Sequence, residues 1–436
     1  MGSLGIPVET ARLANGLRVV VSTDRTAPVV TVGVYYRIGF RLEPEGRSGF
    51  AHLFEHMMFQ GSENAGKMMH IRLVNASGGV LNGSTAYDYT NYYEAIPSNA
   101  LERVLWLEAD RMRALKVDNE NLKNQRDVVK EEVRVNVLNR PYGGFPWLDL
   151  PPVAYRLWPN AHNFYGDFAD LDAASLADVR EFFQTYYTPR NAALVIVGDV
   201  DVGTAFGLAE RYFGPIPAGP EPPRAEVEEG PPPGERRGVV EEKFGDLRGL
   251  AIGYYAPERR TPDWYAFALA DRVLHGGRAG RVYRELVLDK QVAVDAEGGI
   301  HFPSGDLFDY CGPILLTSRI LHRLDTTPKA TLAAFDSVVD ELRANGPEAD
   351  ELEQVKAKLR SDYYSALEGG SYIPRFGRMH YLACFSLFDD DPALVNTILD
   401  EFTGITPEQV RESADRYLTL ANRAVVERRP VKGGAA

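Results

Sequence analysis

The run His52-Leu53-Phe54-Glu55-His56 has residue types and spacing suited to metal chemistry. On a helix, residues four apart share a face one turn apart, so His52 and His56 can aim two imidazoles at one ion. Glu55, three positions beyond His52, brings a carboxylate to the same neighbourhood without having to be a ligand. Two histidines and an outer acid are what a catalytic zinc needs, provided a third protein ligand and a position open to water exist. With only eight histidines in the chain, the pattern arises by accident roughly 0.01 times. Its flanks, GFAHLFEHMMFQG, are too apolar for a solvated helix face.

A third ligand can be sought on the helix containing NQRDVVKEEVRVN. At about 100° per residue, Val128, Val129, Val133 and Val135 fall at about 0, 100, 140 and −20°. Glu132 falls near 40°, inside that apolar arc, and Glu131 near −60°, at its rim. A carboxylate facing a core is costly unless it is paired or bound to a cation, which makes Glu132 the one that needs a partner. The competing reading is a buried glutamate satisfied by Arg126 or Arg111. Further on, Leu81–Tyr89 follows a Gly78-Gly79 turn and carries the small residues Gly83 and Ser84, so a foreign backbone can approach it closely. An extended peptide adding there as a strand would bind through main-chain bonds with little sequence demand. The alternative is an ordinary hairpin with a solvated tip. Tyr87, Tyr89, Tyr92 and Tyr93 are candidates for lining a peptide groove. His162 reads as fixing a turn, and His70, His275, His301, His322 and His380 as structural or solvated.

The elements that must position these groups are grouped rather than strictly alternating. GLRVVVSTD and PVVTVGVYYRIG read as paired strands. GFAHLFEHMMF and IRLVNASGG read as helices, and VLNGSTAYDYTNYYEAIP as a hairpin. Two long helices follow, about 98–115 and 118–139. Strands in pairs with helices between them indicate an α+β fold with largely antiparallel sheets. Residues 215–238 hold eight prolines and four glycines among acidic spacers and read as an extended linker. It divides the chain into an N-terminal half, 1–214, and a C-terminal half, 239–436. DVREFFQTYYTPRNAALVIVG (178–198) aligns with QVRESADRYLTLANRAVVERR (409–429) at a constant offset of 231, with Val179/Val410, Tyr186/Tyr417, Asn191/Asn422 and Ala193/Ala424 identical. The halves therefore read as a duplication.

Forty-eight basic against 61 acidic residues, a net charge of −13, argues against a nucleic-acid footprint. Two cysteines make no disulfide scaffold. No apolar run reaches the ~18 residues of a membrane helix, and the N-terminus lacks a signal-peptide pattern. A cytoplasmic location is expected, or a periplasmic one if the N-terminus was trimmed.

HLFEH at 52–56, with Glu132 seventy-six positions after His56, resembles the insulinase/pitrilysin (M16) family of zinc metallopeptidases, whose motif inverts HExxH. LNGSTAYDYTNYYEAIP (81–97), LWLEADRM (105–112), RDVVKEEVR (126–134) and YYTPRNAALVIVGDVD (186–201) extend the resemblance along essentially the whole chain. It is similar to the short bacterial branch related to mitochondrial processing peptidase. The resemblance implies two homologous halves, each a mainly antiparallel sheet backed by helices. It implies Zn2+ held by His52, His56 and Glu132, with Glu55 as general base. The position of Asn82 and its successor would contact the substrate backbone, and Gln125 stands where some relatives carry a second acid. Self-sufficient relatives also carry an Arg and a Tyr seven residues apart in the second half. In HGGRAGRVYRELVLDKQVAVDAEG (275–298) the matching positions are Val287 and Val294, and the nearby Arg281 and Tyr283 have the wrong spacing. The expectation is a zinc endopeptidase subunit of a heterodimer whose paralogous partner supplies Arg and Tyr. The alternative is a non-catalytic assembly or peptide-binding subunit on the same fold.

Overall fold

The computed structural model describes residues 5–231, 233–369 and 373–431. Eleven strands among these residues form two sheets: β1 (Glu9–Arg12), β2 (Arg18–Thr23), β3 (Val29–Tyr36), β4 (Val80–Thr85), β5 (Thr90–Pro97) and β6 (Ala192–Gly198) in the first, and β7 (Arg236–Glu242), β8 (Arg248–Tyr255), β9 (Asp295–Ile300), β10 (Leu315–His322) and β11 (Arg423–Pro430) in the second. The orders are β1-β2-β6-β3-β5-β4 and β7-β11-β8-β10-β9. In each sheet the last strand of the half runs parallel to the first long one, β6 to β2 and β11 to β7, and every other pairing is antiparallel. Five strands of one sheet thus match five of the other, and β1 has no counterpart. Strands β2 and β3, expected to pair, are separated by β6, because only β6 brings a fully buried apolar ladder to both of their edges.

The duplication is visible in side-chain roles. The helix before each closing strand, Leu176–Tyr186 and Pro407–Tyr417, opens on a capping box, Ser175 with Asp178 and Thr406 with Gln409. The Asn191 side-chain amide donates to the carbonyl oxygens of Tyr186 (2.9 Å) and Arg37 (3.1 Å). Asn422 donates to those of Tyr417 (2.6 Å) and Tyr255 (3.0 Å). One amide in each half ties the C-terminal end of the helix to the sheet, satisfying carbonyls that the helix leaves orphaned.

The chain folds into two compact units, one of residues 1–131, 164–225 and 362–398, the other of 132–163, 226–361 and 399–436. In the first, alternation along β3 serves two buried faces. Val30, Val32, Val34 and Tyr36 join a core with α1 (Phe50–Met57), α3 (Leu101–Ala114) and the helix Val202–Phe213. Thr31, Gly33 and Tyr35 meet the helix Phe376–Phe388, where Thr31 bonds the Pro374 carbonyl, Tyr35 bonds His380 and a Cβ on Gly33 would lie 2.3 Å from Met379 Sδ. In the second unit, Phe145, Leu150, Ala154 and Tyr155 pack on Ala251, Leu315, Ala424 and Val426. The units are therefore discontinuous in sequence, each completed by a segment from within the other expected half. The 215–238 segment turns into strand from Arg236. The remaining labelled helices are α2 (Met69–Ala76) and α4 (Asn119–Val133). No described helix is long and apolar enough to cross a membrane.

Candidate metal centre

Helix α1 begins at Gly49, whose left-handed φ of +81° a side chain would strain. The loop at 164–166 lies so close that a Cβ here would sit 2.7 Å from the Tyr165 carbonyl oxygen. Glu43, buried, accepts from the N–H groups of Gly49 (2.8 Å) and Ala51 (2.7 Å). A carboxylate at a helix N-terminus satisfies orphan donors and matches the dipole. Ser48 adds a hydroxyl bond to Asp170 (2.6 Å). From this anchored start the helix presents His52, 2% exposed, and the half-buried Glu55 and His56. The two imidazoles stand nearly perpendicular, centroids 4.9 Å apart, and Phe164 and Tyr165 pack edge-on to His52.

Glu132 is half-buried in the last turn of α4, continuous with the part of that helix rooted in the first unit. The expected valine arc is only half right. Val129 and Val133 are buried, but Val128 and Val135 are 42% and 58% exposed. The buried stripe is Leu122, Gln125, Val129 and Val133, and the π-helical turn at Arg134–Leu138 breaks the phase that would have carried Val135 inward. Glu132 therefore flanks the stripe rather than sitting inside it, and Glu131 is exposed. One ligand atom from each of His52, His56 and Glu132 lies within 4.8 Å of the others. Neither arginine considered as a partner is available: Arg111 is bound to Glu108, and Arg126 donates to the Asp172 and Ala174 carbonyls. Two imidazole nitrogens and a carboxylate oxygen form a donor set that suits zinc. Gln125, 4% exposed, lies seven residues before Glu132 on the same side of α4.

Glu55 points to β4. Thr85 Oγ1 donates to its Oε2 at 2.8 Å, and a Cβ on Gly83 would lie 3.4 Å from its Cγ. Strand β4 closes one side of its sheet, with β5 as its strand neighbour. Asn82 is exposed there, its Oδ1 accepting from the Gly83 N–H, and Ser84 bonds Asn91 Oδ1 through N–H and hydroxyl. The tyrosines offered as groove liners are all buried. Tyr92 instead donates to the Phe54 carbonyl (3.1 Å), bracing α1 from beneath.

Three features escaped sequence reasoning: Glu43, Thr85 and a buried cluster behind Tyr92. In the cluster His70 Nε2 lies 3.0 Å from Glu94, Arg111 Nε donates to Glu108 (2.9 Å), and the guanidinium stacks over the Tyr92 ring at 4.4 Å. Burial raises the pKa of Glu94 and lifts Glu108 to about 8, and it drives His70 down to about 3. Arg111 thus faces a carboxyl pair that burial biases towards holding a proton, beside an imidazole that burial biases towards its neutral form. These groups also have metal-ligand spacing, but the guanidinium already supplies the cation. LEADR in 107–111 was the available signal, an acid and a base three residues apart among the buried positions of α3. The other single histidines are not solvated. His301 pairs with Asp309, and His275 bridges Asp271 (2.9 Å) and Ser318 (2.8 Å). That last series has the order of a nucleophilic triad, but Ser318 is 0% exposed and no substrate can reach it.

In the second unit Val287 lies in a π-helical turn, half-buried, and Val294 is 37% exposed. Arg281 is clasped by Glu341, Glu351 and the Gly346 carbonyl.

Two family models match the chain, insulinase (peptidase family M16) over residues 18–141 and the peptidase M16 inactive domain over 173–359. The first span contains His52, Glu55, His56 and Glu132. The chain belongs to the M16 family of metallopeptidases. It is similar to the zinc protease PqqE of Helicobacter pylori, 29% identical over 372 residues, 84% of this chain and 81% of that one. It is also similar to mitochondrial-processing peptidase subunit beta of Saccharomyces cerevisiae, 24% identical over 271 residues, 61% of this chain and 58% of that one. A solved protease structure from Helicobacter pylori superposes with a TM-score of 0.88 at 25% identity, covering 98% of this chain and all of that one.

Proposed function

We propose that this chain is a zinc endopeptidase acting on extended peptides or unfolded segments, and that it works as the zinc-bearing subunit of a pair. The observation that carries the reading is the convergence of His52, His56 and Glu132 within 4.8 Å beside Glu55. Those three residues would hold the metal, which when bound supplies Lewis acidity and a water acidified towards neutral pH. Glu55 is not needed as a ligand, so its carboxylate is the base that takes the water proton. It then returns that proton to the leaving amine. Thr85 fixes Oε2 of that carboxylate and so orients it. Gln125, buried on the Glu132 side of α4, acts as an outer-shell neighbour of that ligand. The substrate adds as a strand along β4, where Gly83 keeps the approach to Glu55 clear, and Asn82 and Ser84 are the contacts expected along the peptide backbone.

A paralogous partner is supported by what the second half offers. Neither the Val287 nor the Val294 side chain can donate to a developing oxyanion, a role whose loss costs about 10²–10³ in rate, and Arg281 is committed to two glutamates. The test is cleavage of a quenched peptide mixture by the zinc-loaded chain, alone and with a candidate Arg/Tyr-bearing paralogue, with Glu55→Gln as control. Low turnover alone, a rise on adding the paralogue and loss of about 10²–10⁴ in Glu55→Gln are expected. Full activity of the isolated chain would remove the need for a partner, and no cleavage in any combination would favour the assembly-subunit reading.

A further inference from the structure

The matched sheets differ at one position. In the first, β1 lies antiparallel on the outer edge of β2, Glu9 opposite Val21 through Arg12 opposite Arg18. In the second, β7 takes the place of β2, and among the described residues its only strand neighbour is β11. An open edge is a template for pairing with another chain, and proteins normally shorten, charge or cover it.

The sequence of this edge is Arg236-Arg237-Gly238-Val239-Val240-Glu241-Glu242. Exposure alternates along it, with Arg237, Val239 and Glu241 outward on one face and Val239 56% exposed. The opposite face is spent inside the unit. Arg236 donates to the carbonyls of Val153, Ala154 and Tyr155, and the buried Glu242 carboxylate accepts from the N–H groups of Tyr142, Phe244 and Gly245. Read backwards, the strand is its own charge complement. In an antiparallel pair of two copies centred on Val239, Arg237 of each faces Glu241 of the other, and the two Val239 side chains meet on the same face. Shifting the pairing by two residues sets Arg237 against Val239 and loses both charge pairs. Arg237 now holds Glu235 two residues back at 2.6 Å, an exposed pair worth little and easily exchanged. Val239 also stands over a groove of about 750 Å³ with an apolar floor of Leu250, Leu332 and Val425, which a crossing strand would cover.

We infer that the β7 edge is a homodimer interface, two copies joining their second sheets antiparallel about a two-fold axis through Val239. The occupant is a second copy because the edge matches itself in charge and in register. A seven-residue strand pair is smaller than the ~1,200–2,000 Å² of a standard interface, so association in about the tens of micromolar is expected.

Sedimentation velocity of the full chain from about 1 to 300 µM spans that range, and the mass should rise from 48.4 kDa towards twice that value. Arg237→Glu sets two like-charge pairs across the axis and Val239→Lys sets two ammonium groups together. Each should weaken association on the order of tenfold or more. Arg237→Glu with Glu241→Arg restores complementarity and should recover the wild-type constant to within about threefold. All three positions substituted carry exposed side chains, and circular dichroism melts check that each variant folds. A monomer at every concentration, or a dimer indifferent to both single substitutions, overturns the interface. Failure of the double variant to recover overturns the Val239-centred register.

Discussion

His52 and Glu55 meet different surroundings on one helix. His52 is enclosed by aromatic rings, while Glu55 is steered by Thr85 towards β4. Behind them, Arg111 and Glu108 carry a consequence for pH. An ordinary glutamate near 4.5 in the unfolded chain is lifted to about 8 in the fold by burial. The folded state therefore binds the extra proton between those values. Stability from this group is full below about 4.5 and is lost as the pH rises through about 8, with a slope of up to ~1.4 kcal/mol per pH unit. Glu108→Gln mimics the protonated form, so its melting temperature should fall less between pH 5 and 8 than that of the wild type. Equal slopes in thermal melts across that range would contradict a retained proton. The HxxEH pattern was legible because its spacing alone defines a shared helix face. Glu43 and Thr85 were not, since each acts through a contact that the chain makes only once folded.

At the scale of elements, α1 is held at its first turn and from beneath. Glu43 takes two of its orphan N–H groups and Tyr92 takes the Phe54 carbonyl. Replacing Glu43 with alanine strands two donors in a buried site, a cost of about 1–3 kcal/mol. Urea unfolding should show that loss, and zinc affinity should drop with it because both histidines ride on the helix. Unchanged stability would mean that the loop at 164–166 suffices. Helices and the β4–β5 hairpin were readable from local periodicity. The burial of α4 was misread at Val135 because a constant 100° step does not foresee a π-turn, and at Val128 because that residue lies at the edge of the stripe formed by Leu122, Gln125, Val129 and Val133. The expected β2–β3 pairing failed because β6, over 150 residues later, carries the stronger apolar ladder.

For the whole molecule, the offset of 231 between the halves proved structural. It relates two capping boxes and two asparagines with the same bonds. What it did not disclose is that residues 132–163 and 362–398 each fall within the compact unit built on the other half's sheet. Side-chain pattern marks a segment as buried but does not name the sheet that buries it. Glu132 is the first residue past that boundary. The most direct test is the zinc content of the full-length chain, measured by mass spectrometry after dialysis against trace zinc, for wild type, His52→Ala, Glu132→Ala and Glu55→Gln. About one zinc per chain is expected in the wild type and in Glu55→Gln, with most of it lost in His52→Ala and Glu132→Ala. Zinc retained without Glu132, or lost along with Glu55, would contradict the assignment of three ligands and a separate base.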